Sequence, residues 1–185
     1  MLKPASLRAA LTAANPYLQA NPDALHVRVE SGQINSTMHG GLSFEYQYDL
    51  VALVTDYADH PDMLFLPILA WLNNAQPDML QNPARRADFT FEVDALDNEK
   101  CDIEIKLSKI TERVAVTQAL APEIPGADDL TGPGTIATIR HLPEPKVDPM
   151  RQIEHWEFWI GGEKIREWDV PPFDGPVTPP ASSAS

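Results

Sequence analysis

The sequence predicts an α+β fold, with helices packed on a mainly antiparallel β-sheet and a C-terminal β-hairpin carried on a Pro-rich linker. Three observations carry that expectation. Residues 42–54 alternate along a run whose length suits an extended strand. Residues 5–20 and 60–76 instead space their large apolar side chains at helical intervals. The elements come as helix, strands, helix, strands, which is the order of an α+β sandwich and lacks the regular alternation of a parallel sheet.

Each element has its own warrant. In 5–20, Leu7, Leu11, Ala14 and Leu18 form one stripe. Pro4 suits the first turn, where a missing N–H costs nothing, and Pro16 must bend or end the helix. "LHVRVESG" alternates from Leu25 and reaches Gly32, a strand. In "GLSFEYQYDLVALVTDY", Leu42, Phe44, Tyr46, Tyr48, Leu50, Ala52 and Val54 share one face, and Val51 and Leu53 add apolar groups to the other.

"HPDMLFLPILAWLNNAQ" reads as a helix opened by Pro61 and Asp62. Leu64, Ile68, Trp71 and Leu72 form its stripe, and Leu66 and Leu69 widen it, so the helix is expected to be covered on most sides. Pro67 should kink it or mark its regular start. The apolar run from Met63 to Leu72 is half of the roughly 20 residues a membrane span needs. Three further strands follow, "FTFEV", "DIEIKL" and "TERVAVT".

Composition then changes. Residues 121–150 hold six prolines and three glycines, and the domain reading is an α+β domain at 1–118, a linker at 119–150, a hairpin at 151–169 and a disordered tail at 170–185. The hairpin turns at Gly161-Gly162, where both positions tolerate φ > 0. An unbulged register pairs Ile160 with Glu163, Phe158 with Ile165 and Trp156 with Glu167 on one face. On the other it pairs Trp159 with Lys164, Glu157 with Arg166 and His155 with Trp168. A lone hairpin is marginal in water, so this one must dock. Trp156, Phe158, Trp159, Ile160, Ile165 and Trp168 are its candidate interface residues, on the hairpin's own domain or on a neighbouring subunit.

Charge excludes some functions. The chain carries −13 overall, and its successive thirds carry −3, −4 and −6. It lacks the cation surplus that draws proteins to phosphates or anionic membranes. No specific nucleic-acid or membrane partner is expected. The single cysteine, Cys101, suits a reducing cytoplasm and reads as a small strand residue. The N-terminus has no apolar stretch of signal-peptide type. No glycine-rich phosphate loop, zinc-binding His pair, Ser-nucleophile elbow or Cys pair occurs, and the five histidines form no spaced pair. "VDALDNEKCD" lacks the glycine and spacing of a calcium loop and reads as an acidic turn. "HPD" at 60–62 spells a cochaperone tripeptide, but it follows a strand and is explained as a helix start. Catalytic residues, cofactors and metals are expected to be none.

Three stretches carry a resemblance: "MLKPASLRAALT", "GLSFEYQYDLVALVTDYADHPDMLFLPILAWLNNAQPDML" and "FTFEVDALDNEKCDIEIKLSKITERV". With "WEFWIGGEKIREWD" they resemble the phage tail completion protein R (GpR) family of Peduovirus-like contractile-tailed phages, over residues 1–117 and 151–169. The resemblance implies a structural, non-enzymatic role in finishing the tail at its head-proximal end so that head and tail join stably. By analogy of architecture it implies similarity to tail terminators. It also implies self-association, as a ring and possibly a hexamer, and partners among tail tube, sheath and head–tail connector proteins. Its place would be the virion tail, after assembly in the host cytoplasm. A non-virion chaperone or adaptor for tail components is the alternative.

Deleting residues 151–185 should leave the 1–118 domain with a sharp thermal transition but weaken assembly. Loss of that transition would instead assign the hairpin to the domain's own core.

Overall fold

The computed structural model describes residues 1–36, 41–95, 100–120, 135–144 and 155–169. Helices α1 (Lys3–Ala14), α2 (Pro16–Ala20), α3 (Asp62–Ala75) and α4 (Pro77–Gln81) lie against a five-stranded antiparallel sheet. Its strands are β1 (Leu25–Ser36), β2 (Phe44–Tyr57), β3 (Phe89–Ala95), β4 (Cys101–Leu120) and β5 (Thr135–His141), and β6 (His155–Ile160) and β7 (Glu163–Asp169) form a separate hairpin. This is the expected α+β architecture. The sheet runs β1-β2-β4-β3, with β5 continuing beside β4 beyond β3. Its inner face supplies Tyr48, Leu50, Ala52, Val54, Ile103, Ile105 and Leu107 to a core closed by Leu7, Leu11, Leu18, Leu64, Ile68 and Leu72.

Asn15 separates the first two helices. Pro16 ends α1 rather than bending it, and the Asn15 side chain restarts the chain by accepting from the amides of Tyr17 (2.9 Å) and Leu18 (3.3 Å) as the cap of α2. Pro67 lies inside α3. It has no N–H for the carbonyl four residues back, that of Met63. The buried Asn15 amide fills this gap, donating to the Met63 carbonyl at 3.3 Å and to the Tyr57 hydroxyl at 3.0 Å. Trp71 is buried on the same helix, with its indole N–H donating to Ser6 Oγ at 3.0 Å.

Several local expectations need correction. "DIEIKL" and "TERVAVT" are one strand, β4. Ser108 and Lys109 together oppose Asp49, so a bulge replaces the expected turn. Lys109 takes φ 56 there, its amide donates to Asp49 at 3.1 Å, and Arg85 donates to the carbonyls of Ser108 and Lys109. Two similar bulges put Ser31 (φ 47) in β1, which carries the strand past Gly32, and Asp56 (φ 54) in β2, its amide held by Asp102. Residues 135–141 of the expected linker pair with β4 as a strand. Residues 121–134 and 145–150, the acidic turn at 96–99 and the tail lie outside the described residues. No helix among the described residues is long and apolar enough to cross a membrane.

The opposite end of α1 rests on a buried carboxylate. Glu112 accepts from the amides of Leu2 (2.7 Å) and Lys3 (3.1 Å), from the Tyr48 hydroxyl, and lies 3.3 Å from His141. A helix start is where the dipole and free amides favour an anion. Burial, and then Glu112, push the Tyr48 phenol far above its ordinary range. Burial lowers the Lys3 ammonium against the opposing pull of Glu144, its partner at 2.9 Å.

Asn15→Ala should cost about 2–4 kcal/mol in urea unfolding, combining a lost cap with buried groups left unpaired. Asn15→Asp keeps the cap but loses both amide donors, and should lose most of the same stability. A neutral Asn15→Asp result would show that capping alone matters.

Candidate interaction surfaces

The hairpin is built as its turn predicts and registered otherwise. Gly161 (φ 57) and Gly162 (φ 87) adopt the left-handed pair of a two-residue turn. Ile160 pairs with Glu163 and Trp159 with Lys164 as expected. Ile165 is then an extra residue, and the pairing resumes one position later as Phe158–Arg166, Glu157–Glu167, Trp156–Trp168 and His155–Asp169. One bulged residue exchanges the faces of everything beyond it. Trp156 and Trp168 therefore stack, 6.2 Å apart at 7°.

This shift sorts the six candidate residues. Phe158 is buried, 5.1 Å from the His60 ring, and Arg166 beside it reaches Asp59 at 2.8 Å. Trp156 and Trp168 are half-buried, and the Trp168 indole N–H is buried without a hydrogen-bond partner among the described residues. Trp159, Ile160 and Ile165 stay exposed. Lys164 lies 5.7 Å over the Trp159 ring and ties Glu157 (3.2 Å) to Glu167 (2.5 Å). His155, Glu157 and Glu167 cluster on this solvent side. Hydrogen bonding to Asp169 raises the His155 pKa, and the indole and ammonium donors of Trp159 and Lys164 lower that of Glu157. The cluster is a surface ion-pair network answered by Lys164. Cys101 donates its thiol to the Tyr57 carbonyl at 3.5 Å, and burial followed by Asp102 pushes that thiol up, the opposite of nucleophile activation.

A second surface was not singled out from the sequence. Phe91 and Val93 of β3 pair with Ile105 and Ile103 of the core, on the core side of the sheet. They are nevertheless 55% and 46% exposed. Phe65 in the first turn of α3 reaches over Phe91, with ring centroids 4.8 Å apart. Leu66 and Leu69 beside it are exposed, so these two do not widen the buried stripe, while Met63, Leu64, Pro67, Ile68, Trp71 and Leu72 are buried and α3 is covered on most sides as expected. The available signal was that these two leucines lie off the Leu64–Ile68–Leu72 stripe. Edge strands are normally blunted, but this one ends in open core.

Elsewhere, Ala5, Arg8, Ala9, Thr12 and Ala13 of α1 line a shallow trough of about 650 Å³ together with Gln19 and the hairpin's Asp169.

Phe158→Ala should raise amide exchange across 155–169 by roughly tenfold or more while moving the main unfolding transition little, since the hairpin's seat is small. A large fall in that transition would make the hairpin part of the domain's core.

A family model described as P2 phage tail completion protein R (GpR) matches residues 1–145. Tail completion protein R of Escherichia phage P2 is 39% identical over 173 residues, covering 91% of this chain and 99% of that protein. No solved structure gave a significant match. The chain belongs to the P2 phage tail completion protein R family.

Proposed function

We propose that this tail completion protein acts as a homo-oligomeric cap on the head-proximal end of a phage tail. It assembles in the host cytoplasm and stays in the virion tail as the surface that the head connector meets. The observation that carries this reading is the unfinished core at β3, found in a chain of this family. An apolar sheet face left open on an acidic protein calls for a permanent partner. A second copy supplies one through a heterologous interface, which closes as a ring, and a hexamer is the proposed number. The net charge of −13 also suits a passage that DNA crosses without sticking.

The hairpin favours a second reading. Its seat is small, and the buried Trp168 N–H has no partner among the described residues, at a cost of about 1–3 kcal/mol. A weakly held arm suits an adaptor that touches tail components transiently. Light scattering of the full chain, alone and with purified tail tubes, should show one discrete oligomer. A strict monomer that leaves tube length and head joining unaffected would sink the cap. Mass spectrometry of mature particles separates the readings, because an adaptor would be missing from them.

A further inference from the structure

We infer that residues 170–174, "VPPFD", turn back from the hairpin into the trough on α1 and clasp the hairpin to the domain. The inference goes beyond the cap reading and holds whether the chain caps a tail or only assists its assembly.

The trough lies where two distant parts of the chain meet. Ala5, Ala9 and Ala13, four residues apart, give α1 an outward stripe of small side chains. Asp169, the last residue of β7, completes the lining. Val170 therefore leaves the hairpin at the rim of the trough. A short tether keeps a segment near its site at roughly millimolar effective concentration. Even a weak site then fills with the chain's own residues before those of another copy.

The segment matches the trough in length and character. Val170, Pro171, Pro172 and Phe173 are apolar, and alanines let bulky groups come close to a helix. The two prolines hold the backbone extended, so little freedom is left to lose on docking. At about 3.1 Å per residue, the segment spans about 15 Å. Helix α1 runs about 12 Å from Ala5 to Ala13.

Charge gives the segment its direction. Asp174 carries the only charged side chain in residues 170–185. Arg8, exposed in the lining, makes no ion pair among the described residues. Asp169 is already bonded to His155 at 2.8 Å. A carboxylate that follows four apolar residues can meet Arg8 once those residues lie along the alanines.

The clasp supplements a small seat. The hairpin meets the domain through Phe158 on His60 and Arg166 on Asp59, both in the loop between β2 and α3. A second attachment past Asp169 makes departure require two releases instead of one.

The test uses the full chain and chymotrypsin, with cleavage after Phe173 followed by mass spectrometry. Ala9→Trp fills the trough and should speed that cleavage about tenfold or more, because cleavage tracks the open population. Arg8→Glu should speed it about threefold or more. Both positions are exposed, so circular dichroism should not change. Reciprocally, Phe173→Ser should raise amide exchange across 155–169 about threefold or more, although it alters neither the hairpin nor α1. Cleavage in the native chain as fast as in Ala9→Trp, or exchange unmoved by Phe173→Ser, would overturn the clasp. Cleavage that quickens as the native chain is diluted would place the occupant on another copy and overturn it too.

Discussion

One missing hydrogen-bond donor organises the helical layer. Pro67 leaves the Met63 carbonyl without its partner in the middle of an otherwise apolar helix. A carbonyl stranded in a core is costly, so something from outside the helix must reach it. Asn15 does so, and it is held to that task because its oxygen is already committed to capping α2. The same amide fixes Tyr57, whose hydroxyl donates to the His60 carbonyl at 3.3 Å. His60 in turn faces Phe158. A proline in one helix thereby dictates the break between two others, the end of β2 and the seat of the hairpin. Burial of the Tyr57 phenol pushes its ionisation far beyond ordinary pH, so its hydroxyl stays a donor to the His60 carbonyl.

The far end of α1 is fixed by a different device. Glu112 is a buried anion, and a buried charge is tolerable only when several groups answer it. Two helix-start amides, a phenol and a histidine do so, drawn from α1, β2 and β5. Its neighbour Lys3 bridges to Gln76 at 2.7 Å, and Gln76 bonds both the side chain and the amide of Thr111. Helix α1 is thus pinned at both ends by polar groups while Leu7 and Leu11 hold its middle. Its outward face is thereby held rigidly.

The fold was largely legible because its strongest signals are periodic. Leu7, Leu11, Ala14 and Leu18 are buried as their spacing foretold, and the alternation of β2 gave its core face from Tyr48 to Val54. The Gly161-Gly162 turn declared itself through its φ requirement. What escaped are the bulges, because each depends on a residue elsewhere. Nothing within "KLSKITE" announces that Asp49 will receive the Lys109 amide or that Arg85 will cover the freed carbonyls. The hairpin register failed for the same reason, one extra residue at Ile165. The β3 surface escaped because alternation marks an apolar face without saying what covers it. Phe91 and Ile105 obey the same period, and only the reach of α3 makes one core and leaves the other open.

Acidity constrains how that open face can be closed. In the proposed cap, copies carrying −13 each repel one another at a distance, so net charge cannot lead their association. It must be led by apolar burial at short range, where Phe91, Val93, Leu66 and Leu69 lie, with local charge only choosing the orientation. Internal pairing of most cations leaves few available to make the wrong contact. Counterions that screen the repulsion leave the apolar contact intact. Such an interface therefore tightens as salt rises, whereas one led by opposite net charges would loosen.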